Sequence, residues 1–146
     1  MQLTRFTDLG LRVLMYLAHH EGDEPATSAE IAAAFQVPYN HIIKVVHRLS
    51  TLGWVHTQRG RGGGMRLAVD PGALRLGDVL RTLEDGRSLV DCAEPPCVLR
   101  RGCLLKGALD EALSSFYDGL NRKTVADVCG PPTGRALVRL QRTTRA

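Results

Sequence analysis

The sequence predicts a mainly α fold with a small β-hairpin: a winged helix-turn-helix domain followed by a long helix. Three observations predict it. Apolar residues recur at helical spacing in successive runs between residues 4 and 52. The period then changes at Gly53, where β-favouring residues flank a glycine-rich tip. A second long apolar stripe starts at Leu104, after a loop that carries three cysteines.

The elements follow in order. Residues 4–20 place Phe6, Leu9, Val13, Leu14 and Leu17 on one helix face, with Thr7 as the expected N-cap and Asp8 in the first turn. Glu21 to Pro25 is a loop broken by Gly22 and Pro25. Thr27 and Glu30 match a capping box and open a short helix through Phe35. Gln36-Val37-Pro38 interrupts it, with Pro38 suited to the first turn of the next helix. From Tyr39 to Leu52 the apolar positions Ile42, Val45, Val46, Leu49 and Leu52 keep helical spacing, and Gly53 ends the run. Two helices joined by so tight a turn form a helix-turn-helix candidate.

Trp54 to Thr57 and Met65 to Val69 read as two strands around the tip Gln58-Arg59-Gly60-Arg61-Gly62-Gly63-Gly64. Leu76, Val79, Leu80 and Leu83 share one face of a further short helix. Residues 85–102, with Pro95-Pro96, form an irregular loop. Leu105, Ala108, Leu109, Ala112, Leu113, Phe116 and Leu120 line a long helix from Leu104 to Leu120. One more turn is expected over 124–129. Beyond Gly130-Pro131-Pro132 the tail holds Arg135, Arg139, Arg142 and Arg145 without an acidic residue, and reads as a partly ordered, solvated segment. The expected division is residues 1–84 for the winged domain, 85–103 for the cysteine loop, 104–129 for the long helix and its following turn, and 130–146 for the basic tail.

Bulk properties agree with a soluble globular chain. The 146 residues are 44% hydrophobic, enough for a core. The net charge of +4 and a pI near 9.1 are compatible with a nucleic-acid partner. Leu9 to Ala18 is interrupted by Gly10 and Arg12, and neither a membrane span nor a signal peptide is evident, so a cytoplasmic protein without membrane association is expected. No nucleophile–base constellation or cofactor fingerprint points to an enzyme.

A helix fits the major groove, and its first residues meet the base edges. Tyr39, Asn40, His41 and Lys44 occupy that place in the second helix of the pair, and Asn40 has the chemistry to read adenine. Lys44 and Arg48 are candidates for phosphate contacts. Arg59 and Arg61 stand on the wing tip, where a narrow minor groove attracts arginine. A phosphate-cradling loop is a poor alternative for Gly60 to Gly64, because a strand follows and no Walker lysine-serine pair is present.

Cys92-x4-Cys97-x5-Cys103 places three soft ligands on about a dozen residues. Zinc more often uses paired C-x2-C knuckles, so an iron–sulfur centre is the first expectation and zinc the second. Arg100, Arg101 and Lys106 favour thiolates. The residues leave the fourth ligand open among Cys129, His19, His20, His41, His47 and His56, each of which also reads simply as a packing or surface residue.

Phe6-Thr7-Asp8-Leu9-Gly10-Leu11-Arg12, Val37-Pro38-Tyr39-Asn40-His41, Arg59-Gly60-Arg61-Gly62-Gly63-Gly64 and the three-cysteine loop together resemble the IscR/NsrR family of iron–sulfur winged-helix regulators. The likeness extends to about residue 130. It implies a homodimer paired through the long helix, and a [4Fe–4S] cluster on Cys92, Cys97 and Cys103 (a [2Fe–2S] cluster being the alternative). It also implies a fourth ligand from the partner subunit, at the position of Asp8. Members of the IscR type have a histidine three residues after the third cysteine. Lys106 stands there, which tilts the resemblance toward the nitric-oxide-sensing branch. The implied activity is a transcriptional repressor that binds a double-stranded DNA operator and loses affinity when nitric oxide nitrosylates the cluster. Sensing of iron, cluster supply or redox state is the nearest alternative. An iron–sulfur electron-transfer or scaffold protein is the alternative of another class, and it would have no need of the arginine wing.

Overall fold

The computed structural model describes residues 2–20 and 22–145. Met1, Glu21 and Ala146, which fall in the expected first domain, first loop and tail, lie outside the described residues. The architecture is mainly helical with one two-stranded antiparallel hairpin, in the expected winged arrangement.

Helix α1 (Arg5–Ala18) starts a turn before the expected cap. Thr4 is the N-cap, its hydroxyl accepting the Thr7 N–H at 3.2 Å, while Thr7 is fully buried. The reason is a long-range partner. The Thr4 N–H and hydroxyl donate to Glu84 Oε1 at 2.8 and 3.0 Å, which holds Thr4 in the extended conformation an N-cap needs. The buried face of α1 comprises Leu9, Val13, Leu14, Tyr16 and Leu17.

Helix α2 (Ser28–Ala34) carries the expected capping box between Thr27 and Glu30. Pro38 is the N-cap of α3 (Tyr39–Thr51) and not its first residue. Ile31 from α2 and Ile42, Val45 and Leu49 from α3 close the core over α1. Each such burial stabilises the fold by roughly 1.5–3 kcal/mol.

Strand β1 (Val55–Gln58) pairs with β2 (Gly64–Leu67) in the register Val55 to Leu67 and Gln58 to Gly64. Backbone bonds between Ala26 and Met65, at 3.1 and 2.7 Å, pin the hairpin to the chain just before α2. The tip turns through Gly60 and Gly62, with φ of 97° and 75°, a region that side-chain-bearing residues rarely adopt.

Helices α4 (Leu76–Leu83) and α5 (Leu104–Leu120) cross closely. A Cβ on Gly77 would lie 2.1 Å from the Tyr117 carbonyl oxygen, so only glycine permits this approach. Asn121 locks the crossing: its Oδ1 accepts the Asp78 N–H and its Nδ2 donates to Asp78 Oδ1, both at 2.9 Å. Little of the α5 apolar stripe is covered within one chain. Leu105 is 67% exposed and Phe116 39%, and Tyr117 alone is buried among the described residues of α5.

Helix α6 (Val125–Val128) follows with a second capping box, Thr124 to Asp127. The tail differs from expectation: it forms helix α7 (Thr133–Arg145), packed against α2. Leu137 is buried, and the buried Gln141 amide donates to the Tyr16 and His19 carbonyls at 3.1 and 3.3 Å. The amide thus supplies a donor to carbonyls at the C-terminal end of α1. No helix of the described residues is long and apolar enough to cross a membrane.

Candidate nucleic-acid interface and cysteine loop

The exposed side of α3 is defined by what the core takes away. Ile42, Val45, Val46 and Leu49 face inward, which leaves Tyr39, Asn40, His41 and Lys44 exposed together over the first turns. Tyr39 is 52% exposed. Sequence reasoning missed Ile43, 41% exposed on the same helix. The signal was there: Ile43 falls off the helical stripe formed by Ile42, Val45, Val46 and Leu49. An apolar side chain at such a place suits contact with a thymine methyl.

Arg48, expected to reach phosphate, keeps a side chain that is 40% exposed. It lies near the far end of α3, where its Nη2 meets Asp85 Oδ1 at 3.4 Å. Around this pair is a cleft of about 540 Å³ lined by Thr4, Phe6, Leu83 and Arg87. Asp85 itself has φ of 53° at the exit of α4, where the chain turns toward the cysteines.

On the wing, Arg59 and Arg61 are both exposed, and Arg66 is exposed on β2. The hairpin therefore presents a basic tip, and α3 an exposed face of its own. This is the donor-rich surface a phosphate backbone requires.

The three loop cysteines are free and half-buried. The Cys97 N–H donates to the Cys92 carbonyl at 3.2 Å, and the Arg100 N–H to the Cys97 carbonyl at 3.1 Å. These bonds fold residues 92–100 back on themselves. Cys103 is the N-cap of α5 and makes no side-chain capping bond. Its thiol therefore stands at the end of the helix whose first N–H groups have no intrahelical partner. Among the described residues, no three His, Cys, Asp or Glu side chains are grouped so as to hold a metal ion. As a donor set the loop still fits an iron–sulfur cluster: three thiols uncommitted to disulfides, on one segment, with compensating positive charge beside them.

Lys106 is ion-paired with Asp110, and the hydrogen bond to that carboxylate raises its pKa, with the Cys92 side chain adding to the effect. A lysine held in its charged form has no lone pair to offer a metal. Asp8 sits on α1, where Arg12 Nε donates to its Oδ1 at 3.0 Å, and its side chain is 47% exposed. It is thus open to a second molecule. Cys129 is 6% exposed between α6 and α1, its Sγ 3.7 Å from the Met15 carbonyl oxygen, and burial pushes its thiol pKa up. It behaves as a small core residue.

Residues 3–131 match the model of the Rrf2 family, described as an iron-dependent transcriptional regulator. The chain is 44% identical over 142 residues to the HTH-type transcriptional repressor NsrR of Streptomyces coelicolor, covering 96% of each chain. It is 40% identical over 131 residues to the HTH-type transcriptional regulator NsrR of Bacillus subtilis, covering 88% of this chain and 90% of that one. Among solved structures, the IscR of T. potens superposes with a TM-score of 0.69 at 23% identity, over 88% of this chain and 85% of that one, a likeness of fold.

Proposed function

The chain belongs to the Rrf2 family of transcriptional regulators, and on that premise we propose that it is a dimeric, DNA-binding repressor that senses nitric oxide through a [4Fe–4S] cluster. Cys92, Cys97 and Cys103 would hold the cluster, and Asp8 of the partner subunit would complete it. When bound, the group would supply iron that reacts with nitric oxide. The observation that carries the reading is the setting of the three cysteines: free thiols on one loop, the last of them the N-cap of α5.

The chain's own residues link that loop to DNA. Cys103 joins the loop to α5, and the uncovered apolar stripe of α5 would pair with its twin. Gly77 and Asn121 fix α5 to α4. The exit of α4 holds α1 through Glu84 and Thr4, and α3 through Asp85 and Arg48. A loop that changes shape therefore pulls on both α1 and the reading helix. In a dimer the two reading helices must meet half-sites about 34–36 Å apart, so a small displacement lowers affinity. Tyr39, Asn40, His41 and Lys44 would meet the major groove, and Arg59 and Arg61 the minor groove. On this reading residues 1–84 bind DNA, 85–103 hold the cluster, 104–129 form the dimer interface, and 130–146 buttress the first domain.

The description of the family as iron-dependent favours a second signal, iron or redox status. The test is an anaerobic preparation assayed for iron and sulfide per chain, beside Cys97→Ser and Asp8→Ala. The proposal expects the stoichiometry of a [4Fe–4S] cluster, lost in Cys97→Ser and weakened in Asp8→Ala. Wild-type protein without iron and sulfide overturns it. An Asp8→Ala protein with unchanged cluster retention removes Asp8 from the site.

A further inference from the structure

A cleft of about 180 Å³ opens between the start of α1 and the reading helix. Its lining is Arg5, His41 and Lys44 over an apolar floor of Phe6, Leu9 and Val45. Half of these side chains are basic, and none is acidic. Arg5, the first residue of α1, is exposed, as are His41 and Lys44. The carboxylate nearest Arg5 in sequence, Asp8, is paired with Arg12, and Glu84, which meets the residue before Arg5, is bonded to Thr4.

The geometry points to Arg5 as a contact for a phosphodiester of the DNA backbone, seated in this cleft beside the helix that reads the bases. The inference rests on the DNA-binding reading above and adds to it a residue from outside the helix-turn-helix. Three reasons support it. The charged Arg5 and Lys44, gathered without a carboxylate, repel one another until an anion enters. The apolar floor excludes water from one side of the cleft, which strengthens any charge–charge contact made there. A guanidinium matches phosphate with two parallel N–H donors, whereas Lys44 opposite offers a point charge. A phosphate held between them would fix the depth at which Tyr39 to Lys44 enter the major groove. It would contribute nothing to sequence choice itself.

The test uses the full-length, cluster-loaded dimer. Operator affinity is measured across a range of salt concentrations for wild type, Arg5→Gln, Arg5→Lys and the wing variant Arg59→Ala. Each phosphate contact adds roughly 0.9 to the slope of log K against log salt, so Arg5→Gln lowers the slope by about 1.8 per dimer. Its affinity falls by a similar factor on operator and non-operator DNA, and Arg5→Lys restores most of the slope. Should Arg5→Gln keep the wild-type slope while Arg59→Ala loses it, the inference is wrong and the DNA-binding reading stands. Should wild type itself bind operator DNA without salt dependence, the DNA-binding reading fails and the inference with it.

Discussion

Arg48 Nη2 stands 3.4 Å from Asp85 Oδ1. This pairs the far end of the reading helix with the residue at which the chain leaves α4 for the cysteine loop. The two side chains are 40% and 69% exposed, so the pair adds little to stability, on the order of 0.5 kcal/mol or less. It is a short link between α3, the proposed reading helix, and the root of the loop.

Asp85→Asn should therefore separate stability from signalling. Its urea midpoint is expected to stay close to wild type. The ratio of operator affinities with and without the cluster should shrink by at least about twofold, equivalent to roughly 0.4 kcal/mol of lost coupling. Binding titrations on loaded and stripped protein check this, and an unchanged ratio would mean that the link carries no signal.

Glu84 predicts a pH dependence. Burial pushes its carboxyl up, but hydrogen bonds from Thr7 and Thr4, with Arg87 nearby, outweigh that and leave its pKa lowered. A carboxyl lowered in the folded state stabilises the fold above its unfolded pKa, about 4.3 for glutamate, and that contribution is lost as the pH falls through the folded value. Glu84→Gln should lower the melting temperature at neutral pH and flatten the loss of stability on acidification. The site is only partly buried, so the effect is modest, about 1 kcal/mol or less. Melting curves from pH 7 down to about 3 measure it.

The cysteines should divide three to one. With the cluster removed, Cys92, Cys97 and Cys103 should react quickly with a thiol-alkylating reagent at neutral pH. Cys129, buried against α1 with a raised pKa, should react only as the fold opens. Cys129→Ala should retain the iron and sulfide content of wild type and lose about 1 kcal/mol of stability from the small cavity left behind. Loss of iron in that variant would place Cys129 among the ligands instead.

Much of this was legible because it is local. The apolar period located α1, α3 and α5, the Thr27–Glu30 pattern gave the α2 cap, and the glycine-rich tip announced the hairpin. What escaped depends on partners distant in sequence. Thr4 caps α1 because Glu84 holds it from 80 residues away. The pairing of Arg48 with Asp85, 37 residues on, is likewise invisible in local spacing. The tail reads as solvated because its arginines mask a narrow buried seam, in which Leu137 and Gln141, four residues apart, dock on the first two helices. Spacing picks out three candidate soft ligands, yet a residue given by a second molecule, as proposed for Asp8, leaves no trace in the spacing of one chain.

The central claim is that nitric oxide acts through the loop cysteines to loosen the grip of the reading helices on DNA. The most direct measurement is an anaerobic titration of the cluster-loaded dimer with nitric oxide, following operator binding and iron–sulfur absorbance in the same sample. The account predicts that affinity falls in step with the loss of the absorbance, by at least about tenfold, or 1.4 kcal/mol. Operator affinity that persists after the cluster has fully reacted would contradict it.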